Sequence, residues 1–307
     1  MNKKVMVIGS SNTDMVMQLD TLPTAGQTLL GDNFQVHPGG KGANQAVAAA
    51  RLGAEVIFVA AVGADQFGQQ AVHNFEQDQI DVSCIKTCPN HPSGVALIMV
   101  GGNGENMIGV ASGANFQLLP EDIPTDKMSD MNCVLLQLET PIDTVMHAAR
   151  HAKAQGIPVV LNPAPAQALS DELLSCVDIL TPNETEAEAL TGIPVTDQAS
   201  AQQAAHALLA KGVKTVLITL GENGVLLSQQ GSEAQCIPAG KVEAVDTTAA
   251  GDTFNGALCA GFAKGMPLLD AIHYANHAAA ISVTKPGAQP AIPHEAMVTA
   301  STAKDPL

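Results

Sequence analysis

The sequence predicts an α/β fold in which a mostly parallel sheet lies between layers of helices, and three observations support this. Strand-like apolar segments alternate with helix-like segments along most of the 307 residues, as in right-handed β/α units. Hydrophobic residues make up 46% of the chain but aromatic residues only 3%, so Ala, Val, Ile and Leu must build the core. Two turn-rich stretches interrupt the alternation and predict a small additional sheet.

The elements of the main fold follow from apolar runs and helix-forming stretches. The strands predicted for the central sheet are Val5–Gly9, Val56–Val62, Val134–Leu138, Val159–Asn162, Ile179–Thr181, Val216–Leu220 and Val225–Ser228. The predicted helices are Ala43–Leu52, Asp65–Asp78, Ile142–Gln155, Glu184–Leu190, Ala199–Ala210, Thr253–Ala263 and Leu268–Ser282.

The interrupting segments are residues 12–38 and 93–115. Proline and glycine break the first, and GGNGEN forms the turn of a hairpin in the second. The strand-like runs in these segments are Met15–Leu19, Asn33–Val36, Val95–Val100 and Met107–Val110. Because the chain has no linker, repeat or low-complexity tract, we expect one domain over residues 1–307, with these segments forming a lid.

Composition limits the partners and the compartment. The formal net charge is −16, and such an acidic surface repels nucleic acid and anionic membranes. The six cysteines contain no CxxC pair, which favours free thiols in a reducing compartment. The N-terminal segment MNKKVMVIGS lacks the pattern of a signal peptide, and no apolar run approaches transmembrane length. We therefore expect a cytoplasmic protein.

The segment DTTAAGDTFN contains the strongest candidate for a catalytic group, Asp252. The small residues Ala249, Ala250 and Gly251 precede an apolar helix, whose first N–H groups lack helical partners and carry partial positive charge. Such a turn can stabilise a phosphoryl group in transfer, and a carboxylate beside it can accept a hydroxyl proton. Taken alone, the segment is equally compatible with Asp252 as a simple helix cap.

Two further sets of polar residues are candidates for ligand binding, because they lie at the ends of predicted elements. The segment GGKGAN places Lys41 and Asn44 at a helix start, where glycines allow a ligand to approach the backbone. Asn12 and Asp14 follow the first strand, at the sheet edge where ligands of open α/β sheets bind. An amide and a carboxylate suit sugar hydroxyls. The alternatives are a glycine-rich turn with a solvated lysine and an ordinary turn.

Other strand ends point to the same crevice. Glu139 follows one strand, and Asn183 and Glu186 follow another in TPNETE, where a carboxylate could hold Mg²⁺ through water. The alternative is an acidic first helical turn, which the helix dipole favours. The loop TLGENG, from Thr219 to Gly224, is either a plain hairpin loop or a backbone that follows a nucleotide.

Several common fingerprints are missing from the sequence. It contains no GxxxxGK[ST], no GxGxxG after a strand and no HExxH, so P-loop, dinucleotide-binding and zinc-protease functions are not supported. The histidine pairs His147/His151 and His273/His277 lack a third ligand at a suitable spacing, so metal binding by either pair is disfavoured.

Taken together, these segments resemble the PfkB/ribokinase family of carbohydrate kinases. The segments GGKGANQAVAAARLG and DTTAAGDTFNGA are similar to its two signature motifs. The similarity continues in unbroken order through SSNTD, SGVALIMV, ENMIGVASGAN, LNPAPA, TPNETEAE and TLGENG. The resemblance implies a ribokinase-like three-layer αβα sandwich with a small β-sheet lid. It also implies transfer of the ATP γ-phosphate to the 5-hydroxyl of D-ribose.

The resemblance further implies roles for individual residues. The sugar contacts would be Asn12, Asp14, Gly40, Lys41, Gly42, Asn44, Ala96, Ile98, Val110, Glu139 and Asp252. Asp252 would be the base, inside an anion hole formed by Ala249, Ala250, Gly251 and Asp252. The nucleotide or its Mg²⁺ would contact Asn183, Glu186, Thr219, Leu220, Gly221, Glu222, Asn223, Gly224, Gly251 and Asn276.

A monovalent cation site, typically for K⁺, and a homodimer paired through the lid are also implied by the resemblance. The cation residues would be Asp246, Thr248, Ser282, Lys285, Gly287 and Ala291, mostly through backbone carbonyls. The family often has a serine hydroxyl where this chain has Ala291, so one cation ligand is missing or replaced by water. The alternatives within this fold are a kinase for fructose, adenosine or another acceptor, and a catalytically inactive sugar-binding protein.

Overall fold

The computed structural model describes residues 3–302, which form two β-sheets and surrounding helices. The strands are β1 (Lys4–Ile8), β2 (Asn12–Leu19), β3 (Asn33–Gly39), β4 (Glu55–Gly63), β5 (Ile85–Cys88), β6 (Gly94–Gly101), β7 (Asn106–Ala111), β8 (Cys133–Leu136), β9 (Val159–Leu161), β10 (Ile179–Leu180), β11 (Thr215–Thr219), β12 (Val225–Gln229) and β13 (Gln235–Ile237). The helices are α1 (Lys41–Arg51), α2 (Gln66–Gln77), α3 (Ile142–Ala154), α4 (Asp171–Ser175), α5 (Glu184–Thr191), α6 (Gln198–Ala210), α7 (Ala250–Ala263), α8 (Leu268–Ser282) and α9 (Glu295–Thr302).

The large sheet has nine strands in the order β13-β12-β11-β10-β9-β8-β1-β4-β5. All neighbours from β5 to β11 pair in parallel, and only β12 and β13 are antiparallel. The prediction of a mostly parallel central sheet is therefore confirmed. The carboxyl ends of the parallel strands lie along one edge, which is where open α/β sheets bind ligands.

Both faces of this sheet are covered, which gives three layers. Along β1, Met6 and Ile8 pack on one side while Val5 and Val7 pack on the other, and all four are fully buried. Helices α3, α5 and α6 contribute alanine and leucine side chains to the first side. Helices α1, α7 and α8 cover the second side. The small side chains let these helices lie close to the sheet.

The two motif helices α1 and α7 pack directly against each other. A Cβ atom on Gly256 of α7 would lie 2.5 Å from the Cβ of Ala48 and 2.6 Å from the carbonyl oxygen of Gln45, both on α1. Because a side chain at position 256 would collide with α1, the glycine permits this close approach. The packing brings together two segments that are about two hundred residues apart in the sequence.

The small sheet has the strand order β3-β2-β6-β7 and is built from the two segments predicted for it. Strands β2 and β6 are parallel at its centre, and β3 and β7 pair antiparallel at its edges. It continues from the carboxyl end of β1, because only three residues separate Ile8 from Asn12. The role of this sheet as a lid stays a prediction.

Some details differ from the sequence prediction. The second motif helix begins at Ala250, three residues before the predicted start at Thr253, so Asp252 lies inside its first turn. Strands β5 and β13 and helices α4 and α9 were not predicted, because they are short or weakly apolar. Within residues 3–302, the structure contains no helix long and apolar enough to cross a membrane.

Candidate active site

The start of α7 is an irregular turn. Ala249, the residue before the helix, has a φ of 59° in the left-handed region, where a non-glycine residue is strained. The turn closes through a hydrogen bond from the Ala250 N–H to the Thr247 carbonyl at 3.2 Å. The next N–H groups belong to Gly251 and Asp252, at the positive end of the helix dipole.

Asp252 is buried, and both of its carboxylate oxygens accept hydrogen bonds from α1. Gln45 Nε2 donates to Oδ1 and Asn44 Nδ2 donates to Oδ2, each at 2.9 Å. The carboxylate therefore connects the two motifs physically. It also lines a cavity of about 160 Å³, so it is accessible to a small ligand.

This cavity lies between the two motif helices and the carboxyl ends of β9, β10 and β11. It is lined by Lys41, Asn162, Ala164, Thr181, Asn183, Glu186, Thr219, Thr247, Ala249, Ala250, Gly251, Asp252 and Asn255. The predicted catalytic residues, the predicted lysine and three further predicted nucleotide residues, Asn183, Glu186 and Thr219, thus line one cavity. Such a convergence of polar groups at the sheet edge is typical of an active site.

Glu139 caps helix α1 from outside the helix. The N-cap residue of α1 is Gly40, which has a φ of 90° and no side chain to cap with. Glu139 Oε2 instead accepts from the Lys41 N–H at 2.9 Å, and the Ser10 hydroxyl donates to the same oxygen. Ser10 Oγ in turn accepts from the Gly42 N–H at 3.2 Å. The glycine motif is therefore held in place by groups that follow β1 and β8.

Charged groups are concentrated around Lys41. Burial, together with the nearby carboxylates Glu139 and Asp252, raises the pKa of Asp14 to about 6. Burial alone would lower the pKa of Lys41, but the carboxylates of Asp252, Glu139 and Glu186 outweigh it and raise the pKa. Lys41 is therefore an ammonium group among carboxylates.

Asn12 and the predicted residues of the small sheet lie on the side of the site that Asp14 occupies. Asn12 Oδ1 accepts from Asn115 Nδ2 at 2.7 Å, which fixes the start of β2. Asp14 pairs in register with Ala96, which pairs with Val110, so these three side chains share one face of the sheet. Ile98, two residues after Ala96, points to the same side. The structure brings Ala96, Ile98 and Val110 onto the face of Asp14, as predicted sugar contacts require.

The nucleotide residues after β10 form a capping box at the start of α5. The Asn183 N–H donates to Glu186 Oε2 at 2.9 Å, and the Glu186 N–H donates to Asn183 Oδ1 at 2.8 Å. The Thr219 N–H donates to the Pro182 carbonyl at 2.9 Å, which holds the end of β11 beside them. Burial raises the pKa of Glu186. Glu186 therefore caps the start of α5, in addition to any role in metal binding.

The loop between β11 and β12 turns tightly. Gly224 has a φ of 88°, and a Cβ there would lie 2.1 Å from the Ile237 carbonyl oxygen, so only glycine fits. The loop residues Leu220 and Asn223 line a second cavity of about 390 Å³ together with Val195 and Cys236. The remaining loop residues, Gly221 and Glu222, are exposed.

Asn276 lies apart from both cavities. Its Nδ2 donates to the carbonyls of Ile237 and Pro238 at 3.4 Å and 3.3 Å, which ties α8 to the segment after β13. The structure thus places predicted nucleotide residues in the small cavity, in the second cavity and, for Asn276, in the contact between α8 and the segment after β13.

The predicted cation residues are partly gathered around Asp246. Its Oδ1 accepts from the Thr248 N–H at 2.9 Å and its Oδ2 from the Gly287 N–H at 2.7 Å. Burial alone would raise the pKa of Asp246, but these hydrogen bonds lower it. The Asp246 N–H donates to the Val283 carbonyl, which places Ser282 and Lys285 nearby in the chain.

Ala291 lies buried in a short 3₁₀ turn and offers only a methyl group beyond its backbone. Within residues 3–302, no three His, Cys, Asp or Glu side chains cluster as metal ligands.

Sequence reasoning missed several residues of the site. Asn162, Thr181, Thr247 and Asn255 line the cavity, and Gln45 contacts the carboxylate of Asp252. Asn162 follows β9 in LNPAPA, so its place at a strand end was a usable signal. The sequence around Gln45 contained no such signal, because a buried glutamine and a solvent-exposed one cannot be distinguished within a helical sequence before α7 is known to pack on α1.

A larger cavity of about 680 Å³ lies at the opposite edge of the sheet. It is lined by residues before β1 and β4 and by the end of α1, including Lys3, Arg51, Glu55 and Asp78. Arg51 is paired there with Asp78 at 2.8 Å. Because opposite charges neutralise each other in this cavity and the strands begin there, we assign the active site to the smaller cavity.

Comparison with known proteins identifies the family. The family model described as "pfkB family carbohydrate kinase" matches residues 2–295. The chain is 48% identical to a ribokinase of Haemophilus influenzae, over 95% of this chain and 96% of the relative. It is 39% identical to a deoxyribokinase of Salmonella typhimurium, over 94% and 95% of the two chains.

Among solved structures, the fold matches an Arabidopsis thaliana ribokinase complexed with ribose and ATP. The TM-score is 0.92 at 32% identity, with 98% of each chain covered. Because the family model and these relatives cover nearly the whole chain, and the two signature motifs meet at one cavity, the chain belongs to the pfkB family of carbohydrate kinases.

Proposed function

We propose that the protein phosphorylates D-ribose at its 5-hydroxyl, using ATP and releasing ADP. The observation that carries this proposal is the placement of the Asp252 carboxylate. It lies at the start of α7, lines the cavity and is held by the glycine-motif helix. Relatives described as ribokinases match 95% of the chain, and one neighbouring structure is of a ribokinase complexed with ribose and ATP.

In this proposal Asp252 is the general base. Its carboxylate accepts the proton of the sugar hydroxyl, while the hydroxyl oxygen forms a bond to the γ-phosphorus. The bond between that phosphorus and the β–γ bridging oxygen breaks, and ADP leaves. Lys41 is an ammonium group beside Asp252 and can balance the negative charge of the reactants.

The anion hole would be formed by the turn Ala249–Asp252. Its N–H groups at the start of α7 can donate to the oxygens of the transferred phosphoryl group as charge develops there. Because the donors are backbone atoms of a packed helix, they need no rearrangement during the reaction. This fixed geometry is the main contribution that a protein makes to phosphoryl transfer.

Mg²⁺ and K⁺ are proposed as cofactors, and the residues present fit them differently. Glu186 and Asn183 line the cavity and carry oxygen atoms that suit Mg²⁺ or its water shell. Bound Mg²⁺ would neutralise phosphate charge. The carboxylate of Asp246 and the backbone around it would hold K⁺, with Ala291 supplying no side-chain oxygen. K⁺ would then set the backbone of the segment that leads into the anion hole.

We also propose a homodimer that pairs through the small sheet. The face of this sheet opposite to Asp14 is mostly apolar in the paired region, where Thr13 is its polar side chain. The large apolar members of this outer face include Met15, Met17, Phe34, Val36, Leu97, Met99 and Met107. Five of them are exposed in the single chain, and neighbouring exposed apolar side chains of this kind mark interaction sites. A second copy of the sheet would cover it.

The cytoplasm is the proposed compartment. All six cysteines lie within the described residues and are free thiols, one of them exposed. Free thiols persist in a reducing compartment.

The substrate assignment is tested by measuring ADP release with D-ribose, 2-deoxy-D-ribose, D-fructose and adenosine, each with and without K⁺. We expect the highest kcat/KM for D-ribose and a decrease when K⁺ is removed. A preference for fructose or adenosine would redirect the proposal to another acceptor. Ribose binding without ADP release would support an inactive sugar-binding protein instead.

A further inference from the structure

The carboxylate of Asp252 is held by two amide groups, and each amide has to face it with its NH₂ end. Asn44 and Gln45 are consecutive residues of α1, and each donates to one oxygen of Asp252 at 2.9 Å. An amide also has an oxygen end of nearly the same shape. If either amide turned around, two acceptor oxygens would face each other and Asp252 would lose a hydrogen bond.

Two further glutamines fix the direction of these amides. Gln137 Nε2 donates to Gln45 Oε1 at 2.6 Å, and Gln289 Nε2 donates to Asn44 Oδ1 at 3.1 Å. Gln137 and Gln289 thus donate to the oxygen ends of the Gln45 and Asn44 amides, so the NH₂ ends of these two amides must face Asp252. The two chains of hydrogen bonds are therefore Gln137–Gln45–Asp252 and Gln289–Asn44–Asp252.

The network is buried and costly to keep. Gln45 and Gln137 are fully buried, and Gln289 is 3% exposed. Gln137 Oε1 is buried and finds no hydrogen-bond partner among the described residues. A Cβ at Gly9 would lie 2.0 Å from this oxygen, so the glycine leaves the space that the amide occupies. A buried polar atom without a partner is unfavourable, and an apolar side chain would fill this space at lower cost.

We propose that Gln45, Gln137 and Gln289 are positioning residues that fix the orientation of the Asp252 carboxylate for proton transfer. The inference rests on the proposed function, in which Asp252 is the base. A carboxylate can rotate about its Cβ–Cγ bond, and two oriented donors, one on each oxygen, prevent that rotation. Each oxygen keeps a second lone pair, which can accept the proton of the sugar hydroxyl.

The first test replaces one amide at a time by methionine, which is similar in length but has no strong hydrogen-bonding group. We expect Gln45→Met to lower kcat about 10- to 100-fold, with KM for sugar and for ATP changed less than about twofold, because a misplaced base slows chemistry without altering binding. Gln137→Met and Gln289→Met should each lower kcat by a smaller factor. They act through one additional hydrogen bond.

The matched control removes a buried hydrogen bond elsewhere. Thr144 is fully buried on α3, and its hydroxyl donates to the Leu118 carbonyl at 2.7 Å. Thr144→Val should lower the melting temperature and leave kcat unchanged. If Thr144→Val lowers kcat as much as Gln45→Met does, the effect is a general loss of packing, and the positioning role is wrong.

The second test combines Gln45→Met with Asp252→Asn. If Gln45 acts through Asp252, the double variant should have the residual turnover of Asp252→Asn within about twofold. A further 10-fold loss in the double variant would overturn the inference, because Gln45 would then act on something else. Should Gln45→Met fail to fold, the same comparison is made with Gln289→Met.

The two proposals fail in different ways. Near-normal turnover of Asp252→Asn would refute the base role and the proposed mechanism with it. An inactive Asp252→Asn variant together with fully active Gln45→Met, Gln137→Met and Gln289→Met variants would refute the positioning role alone.

Discussion

At the scale of single residues, burial and charge together determine the protonation states of the side chains in the site. Asp14 and Asp252 share a partly dry region with Lys41, and burial has opposite consequences for acids and bases there. Burial favours the neutral form of Asp14, which raises its pKa to about 6. The surrounding carboxylates favour the charged form of Lys41. The pKa of Asp14 is thus raised toward neutral pH.

The first prediction concerns the effect of Asp14 on stability and sugar binding. Its raised pKa means that the folded state binds a proton more tightly than the unfolded state does. The ionised carboxylate therefore destabilises the fold at pH 7, and this penalty disappears as the pH falls from about 6 toward 4. We expect Asp14→Asn to raise the free energy of unfolding at pH 7 by about 2 kcal/mol, somewhat less than the full shift because the side chain keeps some contact with water.

The same variant should bind sugar poorly, since a carboxylate accepts hydroxyl hydrogen bonds more strongly than an amide does. We expect the KM for ribose to rise at least 10-fold and the KM for ATP to change little. Denaturant titrations at pH 7 and pH 4, with steady-state kinetics, measure both effects. Equal stability of the two proteins at pH 7, or equal loss of affinity for both substrates, would contradict the account of Asp14.

At the scale of elements, the start of α7 concentrates the strain of the site. The Ala249 backbone occupies the left-handed region, which costs an L-residue about 1 kcal/mol. The neighbouring α1 begins at a glycine with positive φ and relies on Glu139 as an external cap. Both motif helices therefore begin with unusual backbone. No side chain caps α7, whereas Glu139 and Ser10 accept from the first two N–H groups of α1.

The second prediction uses two adjacent alanines of this turn. Ala249→Gly relieves the left-handed strain and should stabilise the fold by about 0.5 kcal/mol, after the larger conformational entropy of glycine in the unfolded chain is subtracted. Ala250→Gly, one residue later inside α7, should instead destabilise it by about 1 kcal/mol. Thermal or denaturant unfolding of both variants measures these values. Destabilisation of similar size in both would show that Ala249 is not strained.

The bounds of the strands and helices show which structural features can be predicted from the sequence. Seven of the nine strands of the central sheet, all but β5 and β13, and helix α8 were predicted within one or two residues, because buried strands and amphipathic helices have strong patterns. The start of α7 was placed too late, since Gly251 in its first turn is a poor helix former and no capping side chain precedes the helix. Gln45, Gln137 and Gln289 could not be predicted as partners, because their contacts exist only after α1 packs on α7 and β8.

At the scale of the whole molecule, the fold brings two distant motifs to one sheet edge and projects the small sheet beside them. The inner face of that sheet carries Asp14 toward the site, while the outer face is apolar and uncovered in the single chain. A dimer would cover the outer face and support the strands that carry Asp14. Assembly and sugar binding would then be coupled.

The third prediction tests the dimer. Leu97 lies in the outer face and is 53% exposed in the single chain. Leu97→Lys should dissociate the dimer, because a buried unpaired ammonium is strongly unfavourable in an apolar interface. The control is Leu269→Lys on α8, another exposed leucine far from the small sheet. Sedimentation velocity should show a monomer for the first and a dimer for the second. A monomeric parent protein would refute the proposed interface.

The central claim is that one carboxylate, placed between a sugar and the terminal phosphate, takes up the hydroxyl proton. The most direct measurement is the turnover of Asp252→Asn at saturating D-ribose and ATP, compared with the parent protein. The account predicts a kcat lower by about 10²- to 10⁴-fold, with both KM values changed only a few-fold. Turnover within a few-fold of the parent protein would contradict it.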